Sequence, residues 1–184
     1  MKALTALLLM ALPISVSAHD VVANRLTLVQ REANHVSMTL VIDYVTTIRA
    51  VAAPAASYKE FAIACSGMAD AQLQRTLSQA HATLEQGIVL HDAQHHTLRV
   101  SPLRWPSLIE SRKLLQQSAM AAIALGTDKA EPTTLELTAD IVANQRIQVL
   151  DVQLPAALAD VLVVSYKPVQ TTIDPQSRKA RITF

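Results

Sequence analysis

The fold prediction starts from the run Val161-Leu162-Val163-Val164-Ser165-Tyr166. Three of its six residues are valines and Pro168 follows shortly after it, so the run is predicted to be a β-strand rather than part of a buried helix. Because the run is almost uniformly apolar, we expect this strand to lie in the core. Residues 135–154 and 169–184 are predicted to be extended as well, so the C-terminal third of the chain should form a sheet.

A second sheet-forming segment lies near the start of the chain. Leu26 and Leu28 alternate with polar residues before the turn-prone pair Ala33-Asn34. Beyond that pair the alternation resumes, with apolar residues at Val36, Met38, Leu40, Ile42 and Tyr44. Alternation on both sides of a turn predicts a β-hairpin.

Helices are predicted between these two sheet-forming regions. Ser57 and Glu60 match the S-x-x-E capping box, which predicts a short helix ending near Cys65. A longer helix is predicted from about Met68 to Gln86, with an apolar stripe of Leu73, Leu77, Ala80 and Leu84.

A third helix is predicted to begin at Trp105-Pro106-Ser107 and to end near Leu125. Its apolar stripe is predicted to be Leu108, Leu115, Ala119, Ala122 and Ile123. Together these patterns predict an α+β fold: an antiparallel β-sheet or sandwich with an inserted helical layer of residues 57–86 and 106–125.

The first eighteen residues have the three parts of a secretory signal peptide. Lys2 precedes an apolar run from Ala3 to Leu12, Pro13 interrupts it, and Ala18 provides the small residue of a cleavage site. The run is well short of the roughly 20 residues that span a bilayer, so a membrane anchor is the weaker interpretation. We therefore expect residues 1–18 to be a signal peptide and residues 19–184 to be one α+β domain in the periplasm, without a membrane span.

Net charge and cysteine content argue against nucleic-acid binding and against stabilisation by an internal disulfide. Removal of Lys2 with the signal peptide leaves 15 basic and 15 acidic residues, and a neutral chain without basic clusters is not expected to bind nucleic acid. Cys65 is the only cysteine, so an internal disulfide is excluded. Its apolar neighbours predict a buried thiol rather than a reactive one.

Histidines are the residues most suited to metal binding. Residues 88–90 and 98–100 are predicted to form a hairpin around the polar tip 91–96, which would place His91 opposite His96 with Cβ atoms roughly 5 Å apart. After cleavage, His19 would offer its imidazole together with the α-amino group. The favoured interpretation is that the histidines of the hairpin tip are ordinary polar residues and that the protein has no cofactor. The alternative is a metal site for copper, nickel or zinc, with His19, His91, His95 and His96 as its predicted ligands.

Catalytic signatures are missing from the sequence. It contains no G-x-S-x-G or H-E-x-x-H motif, and the carboxylates of Asp43 and Asp140 are explained equally well as solvent-facing strand residues. His35 and His81 are expected to be ordinary surface residues. We therefore predict an exported accessory or binding module without catalytic activity, with a periplasmic metal-binding protein as the alternative.

Several stretches resemble a known family. The chain resembles exported bacterial proteins and the extracytoplasmic domains of the hydrogenase and urease accessory membrane-protein family. The stretches that carry this resemblance are Ala18-His19-Asp20, the following hairpin, Trp105-Pro106, and Leu154-Pro155-Ala156-Ala157-Leu158 before residues 161–168. The resemblance implies an accessory role, with an inner-membrane protein as the candidate partner. The family's membrane helices, where nickel passage is supposed to occur, have no counterpart in this sequence, so transport is not implied.

Overall fold

The computed structural model describes residues 24–126 and 132–168. Within these ranges the chain forms seven strands, four α-helices and one short 3-10 helix. In chain order they are β1 (Asn24–Glu32), β2 (His35–Asp43), α1 (Tyr44–Ala52), α2 (Tyr58–Ser66), α3 (Asp70–Gln86), β3 (Val89–His91), β4 (Arg99–Val100), α4 (Leu108–Leu125), β5 (Thr134–Val142), β6 (Asp151–Gln153), the 3-10 helix (Ala156–Leu158) and β7 (Val161–Tyr166). The predicted α+β fold is confirmed. The predicted signal peptide at residues 1–18, residue 19 and residues 169–184 lie outside the described ranges.

The main sheet has the strand order β4-β5-β2-β1-β7 in the described part of the chain. The predicted N-terminal hairpin is confirmed, because β1 and β2 pair antiparallel around Ala33 and Asn34. β5 and β4 extend the sheet antiparallel on one side, whereas β7 pairs parallel with β1 on the other. The sheet is therefore mixed rather than wholly antiparallel.

One face of the sheet carries the core. Leu26 of β1 pairs with Leu40 of β2, which pairs in turn with Leu137 of β5, and all three side chains are buried. The next residue along each strand points to the opposite face, where Thr27, Thr39 and Thr138 lie side by side. The helices contribute residues to the same apolar cluster as Leu26 and Leu40, so they cover this first face.

Local sequence signals place the helices accurately. Ser57 and Glu60 form the predicted capping box, and all four residues of the predicted α3 stripe are buried. The prediction for Tyr44 is wrong, because it begins α1 instead of ending β2. Asp43 explains the change: its carboxylate accepts hydrogen bonds from the Thr46 amide at 3.4 Å and the Thr46 hydroxyl at 2.6 Å, which caps a helix start.

The predicted buried stripe of α4 is only partly correct. Leu115, Ala119 and Ala122 are buried, but Ile123 is 53% exposed. Two serines share the buried side instead, Ser111 and Ser118, and both are hydrogen-bonded there. In the described part of the chain, no helix has the length and apolar character that a membrane crossing requires.

The predicted core strand is the clearest error. β7 lies at the edge of the sheet, and Leu162, Val163 and Tyr166 are each more than half exposed. Its only strand partner among the described residues is β1. The central strand is β2, whose side chains at Val36, Met38, Leu40 and Ile42 are all buried. A continuous apolar run reports strand propensity, whereas its position in the sheet depends on which strands pair with it.

Candidate functional site

The predicted second hairpin is confirmed only at its tip, because β3 and β4 pair mainly with other strands. β3 pairs with β6, so that His91 faces Asp151, while β4 pairs with β5. At the tip between β3 and β4, an isolated bridge joins His91 to Thr97. The Leu98 amide donates to the Leu90 carbonyl at 2.8 Å, and the Asp92 amide donates to the His96 carbonyl at 3.0 Å. His91 is thus opposite Thr97 rather than His96, so the predicted juxtaposition of His91 and His96 is wrong by one residue of register.

Asp92 holds this turn together. Its Oδ1 accepts hydrogen bonds from the amides of Gln94 and His96, each at 2.9 Å, and its Oδ2 lies 3.2 Å from Nδ1 of His96. These hydrogen bonds, with the amide of His96 contributing most, lower the pKa of the Asp92 carboxyl. The turn is thereby fixed by its own side chains, and His95 takes a left-handed backbone conformation with φ of 61°.

The predicted metal ligands do not converge in the described part of the chain. His96 contacts Asp92, and His95 Nδ1 lies 3.9 Å from Asp151 Oδ2. Within residues 24–126 and 132–168, no three side chains of His, Cys, Asp or Glu are arranged to hold a metal ion. His19 lies outside these ranges, so a site that joins it to His91, His95 and His96 stays a prediction.

A polar groove lies beside the histidine turn. Its volume is about 490 Å³, and it separates residues 92–99 from residues 142–147, which follow β5. Arg99 and Arg146 supply positive charge from the two walls, and Gln94, Asn144 and Gln145 supply amide groups. We call this feature the turn groove. Sequence reasoning found His96 but missed the two arginines, because they come together only through the pairing of β4 with β5.

The second wall of the turn groove is anchored at both of its ends. The Ala143 amide donates to the Asn34 carbonyl at 3.0 Å, and the Ile147 amide donates to the Ala33 carbonyl at 2.7 Å. Ile147 is itself buried, and Gln30 Nε2 donates to its carbonyl at 2.8 Å. Residues 144–146 therefore span two fixed points on the β1–β2 turn.

A second polar cluster lies inside the helical layer. His81 stacks on Trp105 with ring centroids 3.9 Å apart and planes 5° apart, and its Nε2 lies 3.4 Å from the Tyr44 hydroxyl. Tyr44 donates to Ser111 Oγ at 2.9 Å, while Glu85 Oε1 accepts from Trp105 Nε1 at 2.7 Å. The prediction that His81 is an ordinary surface residue is wrong. The stacking could not be read from the sequence because His81 and Trp105 lie in separate elements.

Burial controls the ionisation of this cluster. It raises the pKa of Tyr44 to about 12 and lowers the pKa of His81 to about 4. Tyr44 and Ser111 are fully buried, so their hydroxyls are not accessible to a substrate. Tyr44, His81 and Ser111 therefore tie α1, α3 and α4 together as neutral groups.

The remaining candidate residues have structural surroundings. Cys65 is buried as predicted, and burial raises its pKa to about 11, so the thiol is protonated. Asp43 pairs across the sheet with Thr134, six positions along the strands from the Ser37–Asp140 pair, so the two carboxylates do not meet. Asp140 instead lies 2.9 Å from His35 Nε2, and that hydrogen bond lowers the pKa of the carboxyl.

Known proteins provide no relative for comparison. No protein-family model matches the chain, and no match was found among curated proteins or solved structures. The resemblance to the hydrogenase and urease accessory family therefore stays a prediction from the sequence, and the functional argument depends on the geometry of the chain alone.

Proposed function

We propose that the mature chain is an exported accessory or binding module without catalytic activity, and that the turn groove is its ligand site. The observation that carries this proposal is the construction of the groove. Two walls, each fixed by its own hydrogen bonds, enclose about 490 Å³ lined by charged and amide side chains. This volume suits a small ligand, and preformed walls reduce the conformational entropy that binding would cost.

The protonation states of the other polar groups favour binding over catalysis. His81 is half-buried and neutral, the Cys65 thiol is protonated, and the oxygens of Asp92 are occupied within the turn. A general base or a nucleophile would need to be accessible and suitably ionised. Of the side chains that face the groove, His96 is exposed and contacts Asp92 Oδ2 at 3.2 Å, and the arginines and amides are hydrogen-bonding groups suited to recognition.

A ligand screen on the mature chain, residues 19–184, tests this proposal. Small polar solutes would be added singly, and the amide chemical shifts of the protein recorded by NMR. We expect a binding solute to shift the amides of residues 92–99 and 142–147 together, because both walls contact it. Shifts confined to other surfaces would contradict the assignment of the groove as the ligand site.

A second candidate function is periplasmic metal binding with copper, nickel or zinc. It is favoured by the three imidazoles of His91, His95 and His96 on one short turn, next to the Asp151 carboxylate. Equilibrium dialysis with each metal is the direct measurement. An extra residue before His19 should weaken binding, because acylation of the α-amine removes its lone pair from coordination, and so should His91→Ala or His96→Ala. Equal affinity in all forms would exclude this site.

The accessory role also requires a protein partner, for which we propose an inner-membrane protein on the basis of the resemblance. Strand β7 exposes Leu162, Val164 and Tyr166, which occupy alternate positions and therefore share one face of the strand. Exposed apolar patches of this kind are typical of protein contacts. Crosslinking of the mature chain to a co-expressed membrane partner, compared with a Leu162→Asp variant, would test whether this strand takes part.

A further inference from the structure

We propose that the ligand of the turn groove carries an oxyanion, a carboxylate or a phosphoryl group, which is held between Arg99 and Arg146. This inference rests on the proposed function, because it names the ligand class of the same site. It follows from three properties of the groove: its balance of donors and acceptors, the availability of its arginines, and the rigidity of its walls.

Donors outnumber free acceptors in the groove. Arg99 and Arg146 carry N–H donors only, and the amides of Gln94, Asn144 and Gln145 each provide an NH2 group beside their carbonyl. The one carboxylate, that of Asp92, already accepts hydrogen bonds from Gln94 and His96 within the turn. A ligand rich in acceptor oxygens therefore complements this lining better than a ligand rich in donors.

The two arginines are available for a ligand. Neither Arg99 nor Arg146 has a carboxylate within 4.0 Å in the part of the chain that the structure describes. Arg112 shows the contrast, since its guanidinium donates to Asp70 at 2.7 Å and to the carbonyls of Ser66 and Met68. An unpaired planar guanidinium matches the geometry of a carboxylate or phosphoryl group and binds it through paired, charge-assisted hydrogen bonds.

The backbone positions of the two arginines are also set in advance. Arg99 lies in β4 and pairs with Val142 of β5, directly before the anchored segment that carries Arg146. Because both positions are fixed before a ligand arrives, less ordering entropy is lost than if a loop had to close. The groove therefore favours a compact anion that both side chains can reach over a large or extended ligand.

Titrations of the mature chain with inorganic phosphate, succinate and glucose test the inference. Each solute would be followed by NMR at constant ionic strength, so that nonspecific screening is the same throughout. We expect phosphate or succinate to bind in the groove and glucose to bind at least tenfold more weakly. The comparison between phosphate and succinate then separates phosphoryl from carboxylate recognition.

Variants assign the effect to the two arginines. Arg99→Gln and Arg146→Gln should each weaken anion binding about tenfold or more, whereas Arg146→Lys should retain part of it because the charge remains without the planar fork. Arg104→Gln is the matched control, since Arg104 is also exposed but does not line the groove. Thermal melts of all four variants would verify that the fold is intact.

The outcomes separate the two proposals. If the groove amides respond to glucose as strongly as to both anions, the oxyanion inference is overturned while the binding function stands. If Arg104→Gln weakens anion binding as much as Arg146→Gln, the effect is one of net charge and the inference is likewise overturned. If none of the screened solutes shifts the groove amides, the proposed function itself fails.

Discussion

Acidification should destabilise this protein through the neutral His81 at the centre of its helical layer. The folded state holds the pKa of His81 at about 4, whereas an unfolded chain has the ordinary value of 6.5. Between pH 6.5 and 4 the unfolded chain therefore binds a proton that the folded chain does not. The contribution of His81 to stability is fully present above pH 6.5, declines as the pH falls through this window, and is lost below about pH 4.

The surroundings of His81 explain why the neutral form is favoured. Trp105 covers one ring face, and the hydroxyl of Tyr44 approaches Nε2, so the imidazole is removed from water with only neutral groups in direct contact. Ser111 and Cys65, the next polar groups toward the interior, are also uncharged at neutral pH. Glu85, one turn further along α3, carries a negative charge that would favour protonation, but its Oε1 is occupied by Trp105 Nε1 and the Leu103 amide. Desolvation is therefore the dominant effect.

The magnitude follows from the difference between the two pKa values. A change from 6.5 to about 4 corresponds to about 3 kcal/mol in the free energy of unfolding for a fully sheltered group. Because His81 is only partly buried, solvent screening reduces this to about 2 kcal/mol. That is a sizeable share of the roughly 5 to 15 kcal/mol that stabilise a domain, and it should lower the melting temperature by about 4 to 8 °C.

Urea unfolding of the mature chain at pH 7.5 and pH 5 measures this effect, with His81→Gln and His81→Phe as comparisons. Both variants remove the titrating group, and His81→Phe also preserves an aromatic face against Trp105. Between pH 7.5 and pH 5, the free energy of unfolding of the wild type should fall by about 1 kcal/mol more than that of either variant. Most carboxylates titrate below this pH range, so they contribute little to the difference. If all three proteins lose the same free energy of unfolding, the inference that His81 is buried and neutral is wrong.

Three further predictions concern the fold and the processing of the chain. Leu40→Asp should prevent folding, since an unpaired carboxylate in the centre of the sheet costs several kcal/mol. Val163→Asp should lower the melting temperature only slightly, because that side chain is half exposed. Similar thermal melts for both variants would contradict the assignment of β7 as the edge strand. In a colorimetric thiol assay at pH 8, Cys65 should resist the reagent in the native protein and react rapidly in denaturant. A fast reaction in the native protein would contradict the burial and the raised pKa of this thiol. The exported form should begin at His19, which intact-mass measurement decides; retention of residues 1–18 in a membrane fraction would exclude a cleaved signal peptide.

Sequence alone was sufficient where the determining contacts are local. The capping box of Ser57 and Glu60 joins residues three positions apart, and the α3 stripe of Leu73, Leu77, Ala80 and Leu84 reflects the repeat of the helix itself. The β1–β2 hairpin likewise joins two strands that are adjacent in the chain. In each case the interaction partners are separated by only a few residues or by one turn, so the pattern contains nearly all the information.

Tertiary structure decided everything that depends on which distant segments meet. An apolar run such as Val161–Tyr166 has the same strand propensity at the centre of a sheet as at its edge, and only the pairing with β1 placed it at the edge. β3 and β4 each pair with a distant strand, and the pairing of β4 with β5 brings Arg99 beside the segment that carries Arg146 and so forms the turn groove. The stacking of His81 on Trp105 has the same origin. Hydrogen-bonding and burial energies at these places depend on three-dimensional neighbours, and spacing in the sequence does not identify them.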